Sequence, residues 1–178
     1  MFTEISPNEI ILNPVTAFSR EWMLLTAGNE NRGCNAMTIA WGQFGALWEL
    51  KSHANRLPTA TCYVRPSRYT KTFMDTEPYF TLSSFSPEYR KAPGYMGSHS
   101  GREGDKIHAA GLTAVYDYGT AFFEEAETVY ICRTLYHAPL VPEGFVDREL
   151  IPFNYPEEDF HEMYVGEIIK VLKKEQAI

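Results

Sequence analysis

"TATCYVRPSRYTKTF", from Thr59 to Phe73, is the stretch on which the reading of this chain turns. Thr59–Val64 is short and rich in β-branched and aromatic residues, as a half-buried strand should be. At Arg65 the pattern breaks. A turn that only reversed the chain would need Pro, Gly or Asn, whereas this one adds Arg65, Arg68 and the hydroxyls of Ser67, Tyr69 and Thr70. The spacing predicts strand, turn and a short helix over Thr70–Thr76, with those hydroxyls near a helix start whose free N–H groups favour an anion. Arg65 or Arg68 adds a fork of donors matched to phosphate oxygens. Each charge-assisted hydrogen bond is worth about 1.5–3 kcal/mol, so three or four would hold one phosphomonoester. The competing reading is a capped helix with solvated arginines.

Working outward, further strand-like runs are "REWMLLTA", "NAMTIAW", "YFTLSSF", "LTAVYDY" and "TVYICRTLYH", each bounded by Gly, Pro, Asn or charged residues. "HEMYVGEIIKVLK" partly fits a helix, but Val165, Ile168, Ile169 and Val171 around Gly166 favour a strand. About seven strands result, the count of a small antiparallel barrel or sandwich. Ser86 followed by Pro87 signals a helix start, and Asp105 caps "KIHAA" with Gly111 as its stop. "FGALWELKSHANRLP" (residues 44–58) reads as a helix and loop inserted on the surface.

The 178 residues, 44% of them hydrophobic, suit one domain spanning 1–178. A net charge of -7 repels phosphate backbones and anionic membranes, which excludes nucleic acid and membrane partners and requires any bound anion to be gripped locally. "MFTEISPNEI" lacks the basic start and apolar run of a signal peptide, and no stretch approaches the roughly 20 apolar residues of a membrane span, so the expected location is cytoplasmic. Cys34, Cys62 and Cys132 are odd in number and form no CxxC, as expected of reduced and mostly buried thiols, with no zinc knuckle.

Two more segments carry chemistry. "GYMGSHSGREGDK" (Gly94–Lys106) combines glycines that let a backbone approach a ligand with Arg102, Lys106 and His99. It centres His99 where a nucleophile elbow needs serine, and it fails the spacing of a phosphate-binding P-loop. Its alternative is a mobile charged loop. "NAMTIAWG" puts Asn35, Met37, Ile39 and Trp41 on one strand face and Ala36, Thr38 and Ala40 on the other. That offers a flat heteroaromatic ring both apolar surface and edge hydrogen bonds, although plain core packing explains Met37, Ile39 and Trp41 as well.

Taken in order, "NAMTIAWG", "VRPSRYT" and "SGREGDK", continuing through "YHAPLV" to "DFHEMYVGEIIKV", resemble the flavin reductase-like family of FMN-binding split barrels over roughly Trp22–Leu172. The resemblance implies a mainly β protein, a closed six-stranded antiparallel Greek-key-type barrel with a few short helices, which forms a homodimer and binds FMN near the subunit interface. By position it implies that Asn35, Thr38 and Trp41, with Met37 beside them, line the isoalloxazine. Arg65, Ser67, Tyr69 and Thr70 would hold the phosphate end, and Ser100, Arg102 and Lys106 would close over phosphate and ring. His137 would lie near the flavin. Tyr155, Phe160 and Tyr164 are the aromatic residues available to cover it from the C-terminal side.

The flavin would then perform the chemistry, so no catalytic residue is required of the chain, and His99 and His137 are candidates to meet a second substrate. The expected activity is NAD(P)H:flavin oxidoreductase, with NADH or NADPH as hydride donor. The alternative is an FMN-containing electron carrier of flavoredoxin type, fed by a redox protein. No dinucleotide fingerprint locates a nicotinamide pocket.

Overall fold

The computed structural model describes residues 1–51 and 56–175. Its longest element is β10 (Glu162–Lys174), the segment whose sequence is ambiguous between helix and strand. Thirteen residues at about 3.4 Å each give this strand room for three neighbours. β9 (Thr128–Pro139) pairs along nearly all of it, β5 (Leu57–Val64) along Glu162–Glu167, and β1 (Phe2–Ile5) along Val171–Lys174. With β2 (Met23–Asn29), β3 (Gly33–Ile39), β4 (Gly42–Leu47) and β6 (Tyr79–Ser84), the antiparallel ladder runs β3-β2-β6-β9-β10-β5-β4. β3 and β4 end this path, yet only Ala40 and Trp41 separate them in the chain. The two edges therefore meet at one corner, but no ladder joins them among the described residues. The ladder thus differs in count from the expected ring of six strands: seven strands lie on the path and β1 adds to its flank.

Alternation along the strands sends one set of side chains inward: Met23, Leu25 and Ala27 from β2, Ala60, Cys62 and Val64 from β5, Phe80 and Leu82 from β6, and Tyr130 and Cys132 from β9. All belong to one buried cluster with Tyr164, Ile168 and Val171 of β10, which is possible only because the sheet curls on itself. Phe44 of β4 packs between Phe18 and Tyr130, at ring-centroid distances of 5.2 and 4.8 Å. That contact explains why Phe44–Leu47 is strand where the sequence suggested helix: an inserted ring and pairing with β5 outweigh local preference. Of the rest of that expected insertion, residues 48–51 form no helix, Leu57 and Pro58 open β5, and 52–55 lie outside the described residues.

Short elements pack against the sheet, some into the interior cluster and some outside it. α1 (Pro14–Ser19) is capped by Asn13, whose Oδ1 accepts from Val15 and Thr16 N–H. α2 (Lys71–Met74) follows β5, and α3 (Lys91–Ser98) follows a 3-10 turn at Pro87–Tyr89. α3 buries Ala92 and Met96 in a second cluster with Leu24 and Ala36. α4 (Lys106–Ala109) is capped by Asp105 through His108 N–H and stops before Gly111, as the sequence indicates. β7 (Ala114–Asp117) and β8 (Thr120–Phe123) form a separate hairpin, turned by Tyr118 and Gly119 at φ +53° and +73°. α5 (Leu150–Asn154) lies in the long connection from β9 to β10.

Gly166 permits the central crossing. A Cβ there would lie 2.7 Å from the Phe80 ring and 2.9 Å from Cys132 Cβ, both fully buried. Gly166→Ala is expected to destabilise the protein by about 1–3 kcal/mol through overpacking. Urea unfolding should show a lower midpoint at unchanged slope, partly restored by Phe80→Leu.

Candidate functional site

The site begins where β5 ends. Arg68 N–H donates to Arg65 O at 3.1 Å, closing a turn with Pro66 at its second position, and Lys71 N–H then donates to Arg68 O to start α2. α2 is only four residues long, and the Thr70 side chain makes no cap bond to it. Thr70 is buried and instead accepts from Asn35 Nδ2 at 2.7 Å. The hydroxyl expected to face an anion is thereby tied to β3.

A second strap comes from the α3–α4 loop. Arg102 donates from Nη1 to Ser67 O at 3.2 Å, and its guanidinium lies 4.8 Å over the Tyr69 ring. Its backbone N–H donates to Ser100 Oγ at 3.2 Å. Gly101 lies so close to β3 that a Cβ would sit 2.1 Å from Asn35 Oδ1. Only a glycine backbone fits that gap. Further along β3, Thr38 Oγ1 donates to Pro93 O in α3.

These segments enclose a cleft of about 420 Å³, within the roughly 300–1,000 Å³ range of small-molecule sites. Asn35, Met37, Thr38, Ser67, Tyr69, Thr70, Ser100, Arg102 and Lys106 all line it, so three segments distant in sequence converge on one surface. His99 lines it too, stacked on Tyr95 with centroids 3.8 Å apart. Glu103 is the one carboxylate on the lining.

The cations are not equivalent. Arg68 lines the cleft and has no side-chain partner among the described residues. Arg65 pairs with Asp159, donates to Asn154 O at 2.8 Å and lies over Tyr155, so its guanidinium fastens the connection before β10. Lys106 is buried, its Nζ donating to Met96 O at 3.1 Å and His99 O at 2.9 Å. Burial, and then the nearby Arg68 charge, pull its ammonium down to about 8.

Trp41 and Arg65 line an adjoining cleft of about 250 Å³, which shares Met37, Thr38 and Arg68 with the first. His161 carries no signal in the sequence; it lines the same cleft, its ring tilted by 36° against Trp41 at a centroid distance of 4.6 Å. His137 stands apart, paired with Glu162 and stacked on Tyr164. Glu162 also takes Lys71 at 2.7 Å, and these partners hold its carboxyl below the ordinary value against the opposing effect of burial. Tyr164 is fully buried and Tyr155 nearly so, which leaves Phe160, stacked on Tyr155 at 4.6 Å, the more accessible of the three aromatics.

No protein-family model matches the chain, and no curated protein matches it. Solved structures do. An FMN-binding domain of a flavin reductases-like enzyme from Shewanella baltica superposes with a TM-score of 0.64 at 12% identity, covering 97% of this chain and 77% of that one. Flavoredoxin of Desulfovibrio vulgaris gives 0.64 at 20% identity, over 89% of this chain and 72% of that one. The fold is the split barrel. A third structure, the Streptomyces globisporus NADH:FAD oxidoreductase in complex with NAD and FAD fragments, gives 0.60 at 16% identity, over 86% of this chain and 74% of that one.

Lys106 makes the split barrel's stability depend on pH in a defined direction. Its folded-state pKa lies below its unfolded value, so between about pH 8 and 10.5 the unfolded chain holds a proton that the folded chain has released. Stability contributed at this position therefore rises with pH across that window. The stability difference between wild type and Lys106→Met, from urea unfolding at pH 7.5 and 9.5, should shift towards wild type at the higher pH.

Proposed function

We propose that the chain is an FMN-binding flavoprotein, with the phosphate of the cofactor in the larger cleft and the flavin ring extending towards β3 and Trp41. The observation that carries this reading is Arg68, without a side-chain partner among the described residues, beside convergent donors in a cleft assembled from β3, the β5–α2 turn and the α3–α4 loop. The residues fit a phosphomonoester: Ser67 and Ser100 offer hydroxyls, Arg68 a fork of donors, and Lys106 a charge beneath them. The close approach of Gly101 to Asn35 keeps the loop bearing Ser100 and Arg102 against β3. Arg65 takes a supporting role here, holding Asn154 and Asp159 in place.

When bound, FMN supplies a ring that accepts hydride. The chain's own part is to hold and orient it. We assign the protein as an oxidoreductase taking hydride from NADH or NADPH, a reading supported by likeness to the NADH:FAD oxidoreductase. A carrier that exchanges electrons with a redox protein is supported by likeness to flavoredoxin. Anaerobic addition of each pyridine nucleotide to the FMN-loaded protein separates the two: bleaching of the flavin bands is expected of the reductase, an unchanged spectrum of the carrier. Homodimerisation is supported by the paired rings of Trp48 and Tyr136, each 45% exposed.

The phosphate assignment has its own test. Losing one charge-assisted hydrogen bond of about 1.5–3 kcal/mol weakens binding by roughly 10- to 150-fold. Arg68→Ala should weaken FMN by that amount, measured by quenching of flavin fluorescence, and leave riboflavin, which has no phosphate, nearly unchanged. Equal losses for both would remove Arg68 from the phosphate.

A further inference from the structure

The connection from β9 to β10, residues 140–161, is folded as a lobe with a small core of its own. Its base is closed by Leu140 N–H, which donates to His161 O at 2.8 Å. Within it Phe145, Tyr155 and Phe160 pack on one another, with ring centroids 4.6–5.8 Å apart. Arg65 fastens the lobe to β5 through Asp159, Asn154 O and the Tyr155 ring. Three interlocked rings and that clamp hold it in one shape.

Its outer side presents apolar groups to solvent. Val146 is 100% exposed and Phe153, in α5, 86%, while Val141 and Leu150 are about half exposed. The charges interleaved with them along the chain are of one sign. Glu143, Asp147, Glu149, Glu157 and Glu158 are exposed, and none of them makes an ion pair among the described residues. The one arginine of the segment, Arg148, turns its Nη1 to Pro142 O at 2.7 Å. Apolar anchors on a rigid support, set among polar groups, have the composition of a contact surface.

The charges decide what can cover it. A second copy of this chain would bring the same carboxylates face to face across a two-fold contact, and anionic membranes and nucleic acids are repelled as well. A basic protein gains on both counts, since it meets the carboxylates with cations and removes Phe153 and Val146 from water.

We propose that the outer side of the β9–β10 lobe is a docking surface for a basic protein, one whose contact face is an apolar hollow bordered by lysines or arginines. Phe153 and Val146 are the anchors, and the carboxylates set the rate of encounter and its dependence on salt. The inference goes beyond the flavin reading and does not rest on it. Arg65, which also lines the smaller cleft, seats the docked partner near that cleft.

Reduced horse cytochrome c, whose apolar haem edge is bordered by lysines, is the probe, and the same protein with its lysines acetylated is the control. Added at low salt to the ¹⁵N-labelled protein as purified, it should shift amide resonances saturably, with the shifts centred on residues 141–158. The acetylated probe should leave them unmoved, and salt at about 0.3 M should weaken the complex by about tenfold. Phe153→Ser, at a position with little packing to lose, should keep the fold and weaken binding by about tenfold. The pair Glu157→Lys and Glu158→Lys should weaken it as well. Sedimentation should give the same mass for wild type and Phe153→Ser. The proposal is overturned by the lack of a saturable shift, by shifts centred elsewhere, by undiminished binding in Phe153→Ser, or by a mass that falls in that variant, which would assign the face to a second copy. FMN affinity of the same variants reports separately on the flavin reading, because Phe153, Glu157 and Glu158 line neither cleft.

Discussion

A buried amide–hydroxyl bond, Asn35 Nδ2 to Thr70 Oγ1 at 2.7 Å, holds the site together. It joins β3 to the connection between β5 and α2, two segments at opposite ends of the barrel's ladder. Ser67, Arg68 and Tyr69 are positioned because Thr70, immediately after them, is pinned. Gly101 then rests against the same asparagine, which brings the third segment over the first two. A buried polar pair of this kind is costly to break, since each partner would lose compensation for leaving water. The barrel supplies the frame and this bond supplies the register.

The electrostatics are local by necessity. With a net charge of -7 the long-range field does not gather anions, and the described cations are mostly committed: Arg65 to Asp159, Lys71 to Asp75 and Glu162, Arg133 to Glu167. Arg68 stands out against that background, facing both clefts. Lys106 answers to a different constraint, since its ammonium satisfies two carbonyls at the end of α3. A guanidinium with no side-chain partner among the described residues, set beside hydroxyl donors, selects a ligand with one anionic group better than a ligand with many.

Much of the barrel was legible because its strands are β-branched runs ended by turn residues. β4 was not, since "GQFGAL" has two glycines and no β-branched residue, and only the seat of Phe44 between Phe18 and Tyr130 makes it a strand. β8, "TAFF", is buried on both faces and shows no alternation. In the site, the three segments were readable from clustered hydroxyls, glycines and cations. Which arginine faces inward was not, because the turn closed by Arg65 O decides it. His161 left no pattern: its partners Trp41 and Tyr155 meet it only through the path of the β9–β10 connection.

The most direct test of the central claim is the ³¹P resonance of FMN mixed with the protein, followed from pH 5.5 to 8. Free phosphomonoesters take up their second proton near pH 6. If Arg68, Ser67 and Ser100 grip the dianion, the bound resonance should be shifted and nearly constant across that range. A resonance that titrates as free FMN does, while the flavin itself is bound, would contradict the account.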